Sequence, residues 1–218
     1  GITKAANKGL FMRYNKLIVT TSWDDTTRED LKLCELLENY GIKATFYAVS
    51  NWIGRKMSAD ELCHISETHE VGAHTLNHVM LTHVGKEVAR EEILGSKTSL
   101  ERLLRKSVTS FAYPYGHYRR EHVGIVEEAG FICARTTKLY FTTIENPFET
   151  NITMLAGPHR IRDFEGLARL LRQTPKAIFK LYALKKWNKL GKMMFDSFLK
   201  RGGVFHILGH AWEIDHYK

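Results

Sequence analysis

Two acidic residues and two histidines have the clearest potential for chemistry in this chain. Asp24 and Asp25 are adjacent, and His74 and His78 lie four positions apart further along the sequence. One carboxylate and two imidazoles suit a divalent transition metal such as zinc and leave a coordination position for water. A second carboxylate beside the ligand could accept a proton from that water. The spacing therefore predicts a metal-dependent hydrolase.

Each pair also has a simpler interpretation. One of Asp24 and Asp25 could cap a helix that starts near Thr27. The two histidines could be exposed neighbours on a helix, or they could flank a tight turn. Two adjacent carboxylates after an apolar strand must, however, be offset by a metal, by cations or by water. The two pairs taken together favour a functional site.

Strand patterns and helix patterns alternate along the chain, and this alternation must position the polar residues. The predicted strands are 17–20, 44–49, 70–73, 108–112, 131–134, 152–155 and 203–208. The predicted helices are 28–40, 59–68, 84–105, 119–129, 163–172 and 176–200, the second opened by a capping box of Ser58 and Glu61. Such alternation predicts an α/β fold with a mostly parallel sheet, which at this length favours a closed or nearly closed barrel.

The unusual polar residues fall at the carboxyl ends of the predicted strands, where β/α barrels place their active sites. These residues are Asp24, Asp25, His74, Tyr113, Tyr115, Arg135, His159, Arg160 and His210. We therefore expect one site that is assembled from several strands.

Length and composition predict one ordinary globular domain over 1–218. The sequence has 218 residues, 44% hydrophobic and 26% charged, and no Gly/Ser-rich linker marks a boundary. No stretch reaches the about 18 apolar residues of a membrane span. Residues 1–16 are too polar for a secretory signal. Three cysteines without metal-ligand spacing are interpreted as buried free thiols. The location stays open, with the cytoplasm slightly favoured over export.

The chain is basic, with a net charge of +8 that is concentrated in 176–201. A basic face can attract anionic glycans, acidic lipid headgroups or nucleic acid. The simpler interpretation is a solvated helix whose lysines point outward. No helix-turn-helix or RNA-binding motif is present, so nucleic acid is not an expected partner, whereas a membrane surface stays possible.

Four short motifs, in order, resemble those of the polysaccharide deacetylases, carbohydrate esterase family four. They are Thr21-Ser22-Trp23-Asp24-Asp25, His74-Thr75-Leu76-Asn77-His78, Phe111-Ala112-Tyr113-Pro114-Tyr115-Gly116 and Leu208-Gly209-His210. The resemblance covers about residues 17–212. It implies a distorted (β/α) barrel of about seven parallel strands and an enzyme that removes acetyl groups from N-acetylated sugars or glycans.

The resemblance also implies a role for each matching residue. Asp25, His74 and His78 would bind a divalent metal, with zinc the favoured ion, and Asp24 would be the general base. His210 would be the general acid. Tyr115 would donate its backbone N–H to the oxyanion, and Leu208 would line the pocket for the acetyl group.

The sequence departs from the family pattern at two points. The family often has an arginine in the proline motif that holds the catalytic aspartate, but Phe111 and Ala112 stand there, so Arg135 or Arg160 would have to substitute. Thr26 follows Asp25 where glycine is frequent, which predicts a different shape for the first loop. The candidate substrate contacts are Tyr113, Arg135, Arg160, Leu208 and Trp212.

Three alternatives remain open. His206 shares a strand face with His210 and is a rival for the acid role, but His210 lies nearer the end of the strand. We interpret His206 as a buried, hydrogen-bonded histidine. Hydrolysis of a small non-peptide amide on the same barrel and a catalytically inactive glycan-binding protein are the competing functions.

Overall fold

Seven parallel strands form the centre of the protein in a computed structural model that describes residues 16–157, 164–173 and 186–214. The strands are β1 (Leu17–Asp24), β2 (Thr45–Ala48), β3 (Glu70–Ala73), β4 (Ser110–Ala112), β5 (Cys133–Arg135), β6 (Met154–Leu155) and β7 (Gly203–Gly209). Their order across the sheet is β5-β4-β3-β2-β1-β7-β6, and each neighbouring pair is parallel.

One short segment, 150–155, contacts both edges of this sheet. Thr150 forms a parallel bridge with Arg135 of β5, and β6, which ends the segment, pairs with β7. The sheet is therefore curled rather than flat, and the predicted distorted (β/α) barrel is confirmed.

Helices follow most strands and cover the outside of the sheet. They are α1 (Glu29–Asn39), α2 (Ala59–Thr68), α3 (Lys86–Leu104), α4 (Arg120–Glu128), α5 (Phe164–Gln173), α6 (Trp187–Arg201) and α7 (Ala211–Ile214). The predicted capping box of α2 is confirmed, because Ser58 and Glu61 each accept the other's backbone N–H. Within the described ranges, no helix has both the length and the apolar character that a membrane crossing requires.

The structure describes only the second part of the helix predicted at 176–200. Residues 174–185 lie outside the described ranges, and α6 begins at Trp187. Its buried side chains recur every four residues, at Leu190, Met194 and Phe198, and they pack with Phe205 of β7. Lysines occupy the exposed side, which agrees with the simple interpretation of this basic stretch for the part that is described.

The larger core lies between the sheet and helices α1 to α4. Its fully buried members include Phe46, Leu62, Ile93 and Phe111, and the removal of each such side chain from water contributes roughly 1.5–3 kcal/mol. This packing fixes the strand ends from which the polar residues project. The prediction that 1–218 forms a single domain stays a prediction, since it extends over residues outside the described ranges.

The three cysteines are free thiols. Cys34 is buried, as expected, whereas Cys63 and Cys133 are only partly buried. None of them contributes to the polar cluster at the strand ends.

Candidate metal centre

The two adjacent aspartates are positioned by a strained turn at the end of β1. Asp24 is the last residue of β1, which extends four residues beyond its predicted end, and Asp25 and Thr26 follow with φ angles of 80° and 50°. Such left-handed conformations are costly for residues other than glycine. The buried Thr26 hydroxyl holds the turn by donating to the Tyr47 carbonyl at 3.1 Å. The φ of Thr26 explains why glycine suits this position.

The two histidines lie on a tight turn after β3 and not on a helix. Thr75 and His78 have φ angles of 64° and 59°. The turn is held by main-chain hydrogen bonds from the segment after β2, where Ser50 N–H donates to the Thr75 carbonyl at 3.2 Å. As a result the rings of His74 and His78 lie side by side, with their centroids 4.8 Å apart.

Asp25, His74 and His78 converge on one point. One potential ligand atom from each lies within 4.8 Å of the other two, and His78 Nε2 is 3.3 Å from Asp25 Oδ1. That oxygen is buried and has no hydrogen-bond partner among the described residues. A buried carboxylate oxygen without a partner is costly, and a cation would offset this cost. The donor set therefore fits a divalent metal.

Both histidines present Nε2 to this point because their Nδ1 atoms are engaged elsewhere. His74 Nδ1 donates to the Ala112 carbonyl at 2.8 Å, and His78 Nδ1 lies 3.1 Å from the Tyr115 hydroxyl. Outer hydrogen bonds of this kind orient histidine ligands in metal sites. Burial lowers the pKa of His74 to about 4 and also lowers the pKa of His78. Both rings are therefore neutral at neutral pH, which is the form that binds metals.

Arg135 of β5 lies against Asp24. Its Nη2 donates to Asp24 Oδ1, its Nη1 donates to the Thr136 carbonyl at 3.1 Å, and both side chains are buried. Burial alone would raise the pKa of Asp24, but the charge and the hydrogen bond of Arg135 oppose burial, and the pKa is lowered. Asp24 is therefore an ionised carboxylate held inside the protein.

The position of Arg135 answers which arginine is the partner of Asp24. Only 2% of the Arg135 surface is exposed, and its assignment as a substrate contact stays a prediction. Of the two arginines considered as partners of Asp24, Arg135 makes the contact. Arg160, the other candidate and also a predicted substrate contact, lies outside the described residues, as does His159.

Tyr115 and Tyr113 lie on opposite sides of the chain after β4. Tyr115 has a φ of 59° within the turn Pro114–Gly116, is 54% exposed and lies with its ring 4.6 Å from that of His78. Tyr113 is fully buried and donates its hydroxyl to the Phe148 carbonyl at 3.1 Å. Tyr113 is therefore packed in the core, and its assignment as a substrate contact stays a prediction.

The end of β7 supplies the other side of the site. His210 follows β7 directly, and its Nε2 lies 3.9 Å from Asp25 Oδ2. The ring of Trp212 is 5.5 Å from that of His210 and is 40% exposed, so it is available to a substrate. Leu208 is almost fully buried two residues before His210, and its contact with an acetyl group stays a prediction.

His206 lies within β7, four residues before His210. Its two ring nitrogens are 2.7 Å from the Thr20 hydroxyl and 2.8 Å from the Ser22 hydroxyl. Burial lowers its pKa to about 3, so the ring is neutral. These bonds agree with the interpretation of His206 as a hydrogen-bonded interior histidine and leave His210 as the candidate acid.

Two features near the site escaped the sequence analysis. The Trp52 ring lies 5.4 Å from that of His78, and Lys56 Nζ lies 3.1 Å from the centre of the Trp52 ring. Glu213 Oε2 lies 3.0 Å from His210 Nδ1. The only available signal was that Trp52 follows β2 and Glu213 follows β7, the strand ends that carry the rest of the site.

The fold and the site together define a class, the distorted α/β barrels with an Asp-His-His cluster at the carboxyl ends of their strands. The family model described as polysaccharide deacetylase matches residues 13–134. The chain belongs to this family, which confirms the resemblance seen in the four motifs.

Two Bacillus subtilis proteins are similar to part of the chain. YxkH, which is named after the same family, is 24% identical over 126 residues, covering 56% of this chain and 45% of YxkH. YlxY is 22% identical over 111 residues, covering 51% of this chain and 34% of YlxY. The matched segments thus span less than half the length of these curated relatives.

Solved structures with the same fold include an enzyme and an inactive protein. The Streptococcus pyogenes deacetylase PplD, solved with acetate, has a TM-score of 0.56 at 19% identity, covering 68% of this chain and 67% of PplD. The Bacillus anthracis protein BA3943, a CE4-family pseudoenzyme, has a TM-score of 0.55 at 14% identity, covering 92% of this chain and 58% of BA3943. The fold alone therefore does not decide activity, which depends on this chain's own residues.

Proposed function

We propose that this protein is a metal-dependent hydrolase that removes acetyl groups from N-acetylated sugars or glycans. Family membership supports a deacetylase. The observation that carries the finer proposal is the convergence of Asp25, His74 and His78 between an ionised aspartate, Asp24, and a partly exposed histidine, His210.

Asp25, His74 and His78 would hold the metal. Two neutral imidazoles and one carboxylate are a donor set that suits zinc. When bound, such an ion supplies Lewis-acid polarisation of a carbonyl group and a more acidic water. The Asp25 Oδ1 atom, which is buried without a hydrogen-bond partner, supports the assignment, because a bound cation would offset its negative charge.

Asp24 would be the general base that takes a proton from the attacking water. This role requires a carboxylate that is ionised at neutral pH, and the Arg135 guanidinium keeps Asp24 in that state. Arg135 also fixes the carboxylate by a hydrogen bond, so that Asp24 Oδ2 faces the histidine side of the site, 3.9 Å from His74 Nε2.

Tyr115 would stabilise the tetrahedral intermediate, and His210 would assist its breakdown. The main-chain N–H of Tyr115 would donate to the developing oxyanion, a role that Pro114 cannot perform because it has no N–H. One such donor is typically worth about 3–4 kcal/mol. His210 Nε2 would give a proton to the departing nitrogen, and Leu208 would line the pocket for the acetyl methyl group.

The surroundings of the site favour a sugar substrate. Exposed or partly exposed aromatic rings flank it, with Tyr115 and Trp52 beside His78, and Trp212 beside His210. Aromatic surfaces with a few placed polar groups are typical of ligand sites. Lys56 next to Trp52 and the net charge of +8 make an anionic glycan compatible with the cleft. Nucleic acid is not an expected partner.

Two other functions deserve a test. A catalytically inactive glycan-binding protein is suggested by the similarity to the pseudoenzyme BA3943, and it would bind sugars without turnover. A hydrolase of a small non-peptide amide would use the same residues but would prefer a small substrate. Both would differ from a glycan deacetylase in the release of acetate from N-acetylglucosamine oligomers.

The direct test measures acetate release from such oligomers by the zinc-loaded protein, its chelated form and the variant Asp24→Asn. We expect release by the loaded protein, none after chelation, and a loss of about 10²–10⁴-fold in kcat for Asp24→Asn, since a general base contributes that much. Zinc content should be unchanged in the variant. Sugar binding without acetate release would support the inactive alternative, and release only from small amides would support the other.

A further inference from the structure

His210 is held from one side by a single residue, Glu213. His210 lies between the end of β7 and the start of α7, and the Glu213 main-chain N–H donates to the His210 carbonyl at 3.1 Å. The Glu213 carboxylate Oε2 lies 3.0 Å from His210 Nδ1. The backbone and the side chain of Glu213 therefore both bind the same histidine.

This contact determines which ring nitrogen carries the hydrogen. An ionised carboxylate can only accept a hydrogen bond, so Nδ1 of His210 must be the donor. The other nitrogen, Nε2, then faces Asp25, with 3.9 Å to Asp25 Oδ2. The two side chains are only 26% and 20% exposed, so water competes weakly for this bond.

The two carboxylates around His210 have separate positions. Asp25 lies on the Nε2 side and belongs to the candidate metal ligands, whereas Glu213 lies on the Nδ1 side, away from them. Without Glu213, the ring could rotate or adopt the tautomer with hydrogen on Nε2. Rotation would take Nε2 away from the site, and the Nε2–H tautomer is the neutral form in which Nε2 has kept its proton instead of giving it up.

We propose that Glu213 is the positioning residue of His210: it accepts the Nδ1–H hydrogen bond and fixes the ring orientation, so that Nε2 of the doubly protonated ring delivers its proton to the departing nitrogen and leaves the neutral Nδ1–H tautomer. This proposal rests on the proposed function, in which His210 is the general acid. Glu213 itself does not touch the substrate. The carboxylate orients a histidine that can then donate its second proton, as carboxylate-histidine pairs do in other hydrolases.

The first part of the test does not depend on activity. Nitrogen-15 NMR of the His210 ring is recorded on the zinc-loaded full chain at a pH where the ring is neutral, for the wild type, Glu213→Ala and Glu213→Gln. We expect the Nδ1–H tautomer in the wild type, a mixture with Nε2–H in Glu213→Ala, and recovery in Glu213→Gln, whose amide oxygen can still accept the bond. An unchanged tautomer in Glu213→Ala would overturn the proposal.

The second part separates positioning of an acid from a general structural defect. An amide needs a proton on its departing nitrogen, whereas 4-nitrophenyl acetate expels a good leaving group without one. Glu213→Ala should lower kcat on N-acetylglucosamine oligomers by about 10–100-fold and change ester hydrolysis by less than about threefold, with KM and zinc content nearly unchanged. Glu127→Ala, at an exposed glutamate of α4, is the matched control and should behave as the wild type.

The outcomes of the two parts are distinct. Equal losses on the amide and the ester would overturn the positioning role and indicate a structural one. If the wild type releases acetate from neither probe, the proposed function fails, and the tautomer measurement still decides whether Glu213 controls His210.

Discussion

The two sides of the candidate site are built differently. On the side of β1 and β3, the charged and ligating groups are buried, with 8% of Asp25 and 1% of His74 exposed, and the turns that carry them have left-handed backbone. On the side of β7, His210 is partly exposed and precedes a helix of only four residues. A metal-ligand set benefits from rigid burial, whereas a proton donor must meet the substrate and exchange protons with solvent.

Backbone strain distinguishes the two sides most clearly. Within the described residues, seven non-glycine residues have positive φ, and five of them surround the candidate metal centre: Asp25, Thr26, Thr75, His78 and Tyr115. Strained conformations persist only where the surrounding structure holds them, and they cluster at functional sites. The β7 side shows no such residue in its described part, so its geometry depends on hydrogen bonds such as that of Glu213.

The largest effect is expected from breaking the buried ion pair of Arg135 and Asp24. Arg135→Met would leave the Asp24 carboxylate buried without its partner, which typically costs about 3–5 kcal/mol of unfolding free energy. It would also raise the pKa of Asp24, so that a smaller fraction of this carboxyl group is ionised and able to accept a proton. Acetate release should therefore fall even under conditions where the variant stays folded. Denaturant unfolding and acetate release would measure the two effects.

A substitution on the exposed side of α6 provides the control for Arg135→Met. Lys192 is exposed, with 4.0 Å between its Nζ and Asp196, and Lys192→Met should change the unfolding free energy by less than about 1 kcal/mol. Equal unfolding free energies for the two variants would show that the ion pair of Arg135 and Asp24 does not stabilise the fold.

The second effect concerns pH and the neutral histidines of the interior. The pKa of His206 is lowered from 6.5 to about 3, so the folded protein binds fewer protons than the unfolded chain between these values. Its stabilising effect is therefore fully present above about pH 6.5 and is lost as the pH falls toward 3. His206→Gln should flatten the slope of unfolding free energy against pH by up to about one proton in this window.

The same pH series should be run on metal-free protein, because a bound metal would add its own pH dependence. An unchanged slope in His206→Gln would show that His206 does not titrate as a buried neutral histidine. His64→Gln is the control, since that side chain is 69% exposed.

The smallest effect is expected on the side of β7. Trp212→Ala should raise KM for N-acetylglucosamine oligomers by about 5–10-fold, because the loss of an aromatic contact is worth about 1 kcal/mol. Its kcat and its unfolding free energy should change little, since Trp212 is 40% exposed. A large loss of stability with unchanged KM would place Trp212 in the core rather than in the cleft.

The sequence predicted the alternating strands and helices well, but it did not predict which side chains contact each other across the barrel. Alternating patterns located the seven strands, and parallel strand ends predicted that polar residues such as Asp25 and His74 would meet in one site. The resemblance to the family added His78 to these two as a third metal ligand. No local pattern could choose between Arg135 and Arg160 as the partner of Asp24, because that choice depends on how far the sheet curls between β5 and β1.

Two further differences have local causes. Tyr113 was predicted as a substrate contact and is fully buried, because the sequence does not show to which face of an extended chain a single side chain points. Glu213 was not recognised as the partner of His210 because a helix of four residues is too short for a periodic pattern. In contrast, the capping box at Ser58 was predictable, since both of its partners lie within three residues.

Elemental analysis of the purified, zinc-reconstituted and dialysed protein tests most directly whether Asp25, His74 and His78 hold a metal. We expect about one zinc per chain in the wild type and in the control His64→Ala, and a loss of this zinc in His74→Ala and His78→Ala. No zinc in the wild type after reconstitution, or undiminished zinc in the two variants, would contradict this assignment.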